Sequence, residues 1–139
     1  MPHLVILYTG QLDAPAAQGG SDIAQLCRSL ADTMLGVQDD TGKQLFPTGG
    51  TRVLAYPAAH YAVADGKGDY AFVYLNLRMG KGRSEATQQR AGEALLACTR
   101  AHFAPIIEQR PIGITQQIDV GPEVFDGKYN NLHQLFQNN

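Results

Sequence analysis

The chain has 139 residues, of which 44% are hydrophobic and 17% charged, and its formal net charge is −2 at pH 7. This length fits one globular domain with a real core, placed at residues 1–139, and argues against two domains. The interspersed charges provide no basic surface for nucleic acid and no polybasic anchor for a membrane, and no apolar run is long enough to span a bilayer.

The cysteines and histidines indicate neither a disulfide framework nor a metal site. Cys27 and Cys98 fall in helical patterns, with no Cys-x-x-Cys pair and no secretory signal. The sequence therefore predicts free thiols that pack in the core of a cytoplasmic protein. No metal is expected, because no two histidines stand at i, i+4 beside an acid. The histidines are His3, His60, His102 and His133.

The amino-terminal stretch predicts a strand followed by a helix. The apolar run HLVILY at 3–8 does not alternate, which is typical of a strand covered on both faces. After a loop, Ser21 or Asp22 can cap a helix whose apolar residues recur at helical spacing. The residues expected on its buried side are Ile23, Leu26, Leu30, Met34 and Leu35.

The next segment predicts a long connection and a weak strand. Residues 36–50 are rich in glycines and acids and contain a proline, which indicates an exposed loop. The stretch RVLAYPAAHYAVA at 52–64 has strand composition, but Pro57 interrupts it. Because proline cannot donate a backbone hydrogen bond, an edge strand or a bulged strand is expected here.

The second half of the chain repeats this order. After a glycine-rich turn, YAFVYLNLRM at 70–79 is the strongest strand pattern in the sequence. The turn GKGRS leads into a helix from Ser84 to about Phe103, with Pro105 near its end. IGITQQIDV at 112–120 predicts a last strand, and the tail predicts a short helical turn. One side of the helix is expected to bear Ala91, Leu95, Cys98 and His102, the last of these as a packing residue.

The predicted order of elements is therefore strand, helix, strand, and this order occurs twice along the chain. This order indicates an α/β (α+β) domain of two β-α-β units, with approximate halves 1–66 and 67–139. Two architectures share it: the ferredoxin-like sandwich, and the pair of β-α-β units found in the tautomerases. Element order alone does not choose between them.

Pro2 is the first candidate for chemistry. Proline is tolerated at the first residue of a strand, so Pro2 could simply start one. Because Pro2 is small, removal of Met1 is favoured. This removal would leave Pro2 with a free secondary amine. Burial among the apolar residues of the first strand would lower the pKa of that amine from about 8 and supply more free base at neutral pH.

Several short stretches along the chain together resemble the 5-carboxymethyl-2-hydroxymuconate isomerase family of the tautomerase superfamily. They are MPH at the start, FP..G before Arg52, ADG..DYAFV, G.GRS before the long helix, and NN.H.LF at the end. The resemblance implies a tautomerase-like fold, assembly as a homotrimer, and an amino-terminal proline as general acid and base. It also implies ketonisation of 5-carboxymethyl-2-hydroxymuconate in the breakdown of aromatic acids such as homoprotocatechuate, without a metal or organic cofactor.

Arg83, Arg52 and His3 are the candidates for binding the carboxylate substrate. In GKGRS, the N-terminus of a helix capped by Ser84 offers free N–H groups to an anion, although such turns often only connect elements. Arg83 adds a planar guanidinium that fits a carboxylate. The resemblance assigns substrate binding to Arg83 and to Arg52, which composition alone would place on a solvent-facing strand. His3 adjoins Pro2 and either tunes the site or serves the structure.

Three departures from the family leave the substrate open. Leu54 stands where the isomerase pattern has a further arginine, and the connection at 36–50 is longer than that pattern suggests. ILYTG at 6–10 also replaces a more polar ending of the first strand. A tautomerase of another 2-hydroxydienoate or of an arylpyruvate enol is therefore a second enzyme hypothesis. The alternative from another class is a non-catalytic trimer or ferredoxin-like binding module, with Pro2 idle behind a retained Met1.

Overall fold

A computed structural model of the protein describes residues 2–121 and 124–137, so Met1, whose removal is expected, lies outside the described residues. Within these ranges the chain forms four strands and two α-helices. The strands are β1 (His3–Thr9), β2 (Arg52–Ala58), β3 (Ala71–Met79) and β4 (Ile112–Val120), and the helices are α1 (Ile23–Gly36) and α2 (Glu85–Ile107). Short 3-10 turns include Thr48–Gly50 and His133–Phe136.

The strands form a mixed sheet in the order β2-β1-β3-β4. β1 is parallel to β2, and β3 is parallel to β4, whereas β1 and β3 are antiparallel. Each helix therefore connects two parallel strands that lie side by side. In a ferredoxin-like sheet, by contrast, another strand splits each such pair. The register thus selects the paired β-α-β arrangement and excludes the ferredoxin-like alternative.

Both helices cover the same face of the sheet. Leu4 and Ile6 of β1 and Leu75 and Leu77 of β3 point to this face and are fully buried. The expectation that β1 is covered on both faces is wrong for the single chain, because Leu7 on the opposite face is 48% exposed. The run HLVILY lacks alternation because both of its faces are apolar. The uncovered face, here called the open face, also bears Leu54, Tyr56 and Tyr74.

The caps and ends of the helices follow local chemistry. Asp22 rather than Ser21 caps α1, since its carboxylate accepts a hydrogen bond from the backbone N–H of Gln25 at 3.0 Å. α2 continues to Ile107, beyond the predicted end near Phe103. Pro105 therefore lies inside the last turn, where burial of Phe103 and packing of Ile106 hold the helix to the core.

The connection between α1 and β2 is exposed over most of its length, as expected, but it also contributes two apolar side chains to the core. Phe46 is fully buried and belongs to the same core cluster as the sheet and helices, and Val37 is also buried. The prediction for β2 is confirmed, because β2 is an edge strand that contains Pro57. It ends at Ala58, short of residue 64.

The two cysteines and His102 pack as predicted. Cys27 and Cys98 are free, half-buried and in contact with the core cluster. The ring of His102 lies edge-on against Phe103, with centroids 4.9 Å apart. Its Nε2 atom is 2.6 Å from the hydroxyl of Ser21, which precedes α1, so the pair joins the start of α1 to α2.

His102 predicts a specific pH dependence of stability. Burial lowers the pKa of His102, although the charge of Asp22 opposes this effect. The unfolded chain therefore binds more protons than the fold near pH 6, so stability falls as the pH drops through the unfolded pKa of about 6.5. We expect His102→Gln to show a smaller loss of urea-unfolding free energy between pH 7.5 and 5.5 than wild type. His60→Gln, at an exposed position, should lose as much as wild type; equal pH slopes in all three proteins would contradict this role.

Candidate active site

One end of the strands carries the residues that the sequence predicts to act in chemistry. This end of the sheet is here called the site edge. β1 and β2 begin at this edge, and the antiparallel β3 ends there. Pro2 is buried directly before β1, while His3 opens β1 and Arg52 opens β2. Arg83 follows the end of β3 after a short turn. The topology therefore delivers all four predicted residues to the same end of the domain.

His3 and Arg52 lie side by side on the open face. They are direct partners in the β1–β2 register, and Arg78 of β3 is the partner of His3 on its other side. Residues opposite each other in a sheet project to the same face. Both His3 and Arg52 line a cavity of about 290 Å³ that residues 126–130 of the tail close from the other side. On the tail side, the lining also includes Lys128 and the carboxylate of Asp126, which form an ion pair with each other, so His3 and Arg52 supply the basic side of a cavity of mixed charge.

Arg83 is held on the side of the sheet that the helices cover. Its Nη1 atom donates a hydrogen bond to the carbonyl of Gly80 at 2.9 Å, and the guanidinium carbon lies 6.0 Å from the ring centroid of Phe46. Its Nε atom is buried and has no hydrogen-bond partner among the residues the structure describes. The Arg83 guanidinium is therefore held in place by Gly80 and Phe46, and its buried Nε–H has a hydrogen-bonding capacity that these contacts leave unused.

The turn GKGRS has the helix cap expected from the sequence, but the cap residue is hydrogen-bonded to a carboxylate of the same chain, that of Asp40. Ser84 caps α2 by accepting a hydrogen bond from the backbone N–H of Thr87 at 3.1 Å. The Ser84 hydroxyl also donates to Asp40 at 2.6 Å. This bond, followed by those from Arg90 and Thr87, lowers the pKa of Asp40. The capacity of the turn to hold a substrate anion therefore rests on Arg83 more than on the cap hydroxyl.

The carboxy-terminal segment packs against its own chain at the site edge. The turn His133–Phe136 contacts Thr48–Gly50, just before Arg52. The approach is so close that a Cβ at Gly49 would lie 2.8 Å from the Cα of His133. The stretch NN.H.LF noted in the sequence therefore covers the start of β2.

Two residues of this region escape prediction from the sequence. Arg78 lies in line with His3 and Arg52 across the open face. The alternation of YAFVYLNLRM could have indicated this position, because it places Arg78 on the face opposite to that of the buried Leu77. Phe46 lies under Arg83, and no local pattern in its glycine-rich segment indicates that contact.

The part of the chain that the structure describes holds no group of three or more histidine, cysteine, aspartate or glutamate residues that could bind a metal ion. Over the same residues, none of the helices combines the length and the apolar character that crossing a membrane requires.

Comparisons with known proteins agree on one family. A family model described as 5-carboxymethyl-2-hydroxymuconate isomerase matches residues 2–136. The 5-carboxymethyl-2-hydroxymuconate Delta-isomerase of Escherichia coli is 36% identical over 137 residues, covering 99% of this chain and 100% of the relative. A crystal structure of a 5-carboxymethyl-2-hydroxymuconate delta-isomerase matches at 60% identity and a TM-score of 0.91, covering 99% of this chain and 93% of that one.

A more distant likeness concerns the fold alone. A fused 4-OT wild type asymmetric trimer, a tautomerase-superfamily structure, matches with a TM-score of 0.59 at 14% identity, covering 97% of this chain and 98% of that chain. The tautomerase-like fold predicted from the sequence is therefore confirmed.

Proposed function

The chain belongs to the 5-carboxymethyl-2-hydroxymuconate isomerase family, and we propose that it ketonises 5-carboxymethyl-2-hydroxymuconate with Pro2 as general acid and base. The proposal is supported by the Arg52–His3 pair at the starts of β2 and β1, with a buried Pro2 directly before β1 and Arg83 just after β3 at the same end of the sheet. The non-catalytic alternative loses support, because the relatives matched over nearly the full chain are named as enzymes.

Pro2 performs both proton transfers in this proposal. With Met1 removed, the secondary amine takes the proton of the enol hydroxyl, and the resulting ammonium gives a proton to carbon at the far end of the dienol. The double bonds move one position along the chain and the hydroxyl becomes a ketone, so atoms and electrons balance without a cofactor. Burial of Pro2 favours the neutral amine that must accept the first proton.

The arginines bind the carboxylates and the developing charge. The substrate has three carboxylate groups, and Arg52 and Arg83 approach the site edge from opposite faces of the sheet. Each guanidinium can form paired, charge-assisted hydrogen bonds with a carboxylate. Fixed donors of this kind also stabilise negative charge on the dienolate oxygen. His3, adjacent to both Pro2 and Arg52, helps to orient the substrate.

The proposal includes a homotrimer, in which neighbouring copies cover the open face. Leu7, Leu54 and Tyr56 on that face are 48%, 44% and 51% exposed in the single chain, and such contiguous apolar surface typically mediates association. The proposed place in metabolism is the breakdown of homoprotocatechuate. The free thiols of Cys27 and Cys98 suit the reducing cytoplasm.

The test follows the ultraviolet absorbance of the dienol as purified protein is added. Intact mass must first establish that the protein begins at Pro2. Acceleration of ketonisation well above buffer, saturable in substrate, is the expected result. No acceleration by protein with a free Pro2 would overturn the proposed substrate.

One observation supports a second substrate class. Leu54 lies exposed on the open face two residues after Arg52, and the family resemblance implies a further arginine at this place, so one possible carboxylate partner is absent. A 2-hydroxydienoate with fewer carboxylates, or an arylpyruvate enol, would need fewer cations. A higher kcat/KM for such an enol than for 5-carboxymethyl-2-hydroxymuconate would favour this second function.

Gly82 is predicted to be needed for the placement of Arg83. Its φ of +100° is a backbone conformation that residues with a Cβ rarely adopt. Gly82→Ala should destabilise the fold by about 1–2 kcal/mol and, by shifting Arg83, lower kcat/KM by about 10- to 100-fold. Gly66→Ala is the matched control, because Gly66 has a φ of +70° and open space around it, away from the site edge. Similar stability losses with equal activity in the two variants would contradict the role of the turn.

A further inference from the structure

We propose that Asp40 is a positioning residue for Arg83. Asp40 fastens the connection 37–46 to the first turns of α2 and thereby fixes the guanidinium that receives the substrate. The inference rests on the proposed function, since it takes substrate binding by Arg83 as its starting point.

Asp40 accepts hydrogen bonds from three side chains of α2 and its cap. The hydroxyl of Ser84 donates to Oδ2 at 2.6 Å. Oδ1 accepts from the hydroxyl of Thr87 and from Nη2 of Arg90, both at 3.1 Å. Nη2 of Arg90 also donates to the carbonyl of Gln38 at 3.2 Å. Two residues of the connection, Gln38 and Asp40, are therefore hydrogen-bonded to α2 or its cap. One of these bonds joins Asp40 to Ser84, the residue directly after Arg83.

The same connection also supplies the surface on which Arg83 rests. Phe46 is fully buried, and the Arg83 guanidinium carbon lies 6.0 Å from its ring centroid, within the range of a cation–π contact. Arg83 is thus held by Phe46 through its side chain and by Asp40 through the neighbouring Ser84. A shift of the connection relative to α2 would disturb both supports at once.

Asp40 is suited to a test because it can be removed without emptying the core. Its side chain is 55% exposed. The connection also has internal bonds that do not involve Asp40, since Asp39 accepts from the backbone N–H groups of Thr41 at 2.8 Å and Lys43 at 3.1 Å. Loss of Asp40 should therefore leave the loop folded and joined to α2 by the Arg90–Gln38 bond, but remove its ties to Ser84 and Thr87.

The first experiment is a double-mutant cycle on ketonisation. Asp40→Ala is expected to lower kcat/KM by about tenfold, as a small misplacement of a binding group does. Asp40→Asn, which keeps an acceptor oxygen, should lose less. In an Arg83→Ala background, Asp40→Ala should change kcat/KM less than about twofold, because residues that act through one another are not additive. Asp32→Ala, which removes an exposed carboxylate on α1, should leave kcat/KM unchanged.

Two kinetic results would overturn the proposal. One is an unchanged kcat/KM in Asp40→Ala, and the other is an equal loss with and without Arg83, which would show that Asp40 acts by another route. The cycle requires turnover by wild type, whose failure would instead overturn the proposed function.

A second readout does not depend on turnover. The buried Nε–H of Arg83 should give a slowly exchanging ¹⁵N resonance, assigned by its disappearance in Arg83→Lys. In Asp40→Ala this resonance should broaden or exchange faster, whereas Asp32→Ala should preserve it. An unaltered Arg83 resonance in Asp40→Ala would overturn the positioning role.

Discussion

Protein that begins at Pro2 is expected to ketonise the dienol, whereas protein that retains Met1 is expected to be about 10²- to 10⁴-fold slower, the range typical for a general acid–base group. The physical reason is that peptide-bond formation turns the Pro2 nitrogen into an amide without a basic lone pair. Pro2→Ala, with Met1 removed, keeps a primary amine and should lose less. The measurement is kcat/KM from dienol absorbance, on preparations whose first residue is established by intact mass.

The controls for Pro2 separate the amine from the fold. Pro57→Ala removes a proline from the exposed edge strand β2 and should keep full activity. The acidic limb of the wild-type pH profile should lie below the ordinary α-amino pKa of about 8, because burial disfavours the ammonium form. If Met1-retaining protein were as fast as protein with a free Pro2, the nitrogen of Pro2 would not be the base.

The sequence predicts the elements of this fold well because each is encoded locally. Hydrophobic spacing defines α1, alternation defines β3, and the proline in RVLAYP places β2 at an edge. The parallel pairing within each β-α-β unit then brings His3 and Arg52 together, although they lie far apart in the chain. Residues at the starts of paired strands are therefore predictable as neighbours once the architecture is chosen.

What the sequence does not predict depends on contacts between distant segments. The burial of Phe46 under Arg83, and the tie from Asp40 to Ser84, follow from how the connection folds back over α2. A lone aromatic and an aspartate in a glycine-rich stretch carry no periodic signal that would reveal these contacts. The prediction that β1 is covered on both faces is wrong for a related reason. An apolar run does not indicate whether its second face packs against the same chain or against another one.

Arg83→Ala is expected to lower kcat/KM for 5-carboxymethyl-2-hydroxymuconate by about 10²- to 10³-fold, comparable to loss of a donor that stabilises transition-state charge. The guanidinium is held by Gly80 and Phe46 with a buried Nε left to donate, and alanine offers no group in its place. Arg83→Lys keeps the charge but not the planar fork, so it should fall between wild type and alanine.

The control and the stability measurement decide what the loss in Arg83→Ala means. Arg100→Ala removes an exposed arginine further along α2 and should leave turnover unchanged. Loss of the contact between Arg83 and Phe46 should cost only about 0.5–2 kcal/mol of unfolding free energy, so a large kinetic effect with a small stability change assigns Arg83 to the chemistry. Unchanged turnover in Arg83→Ala would remove the anion-binding role, leaving Arg52 and His3 at the open face as the carboxylate-binding residues of this edge.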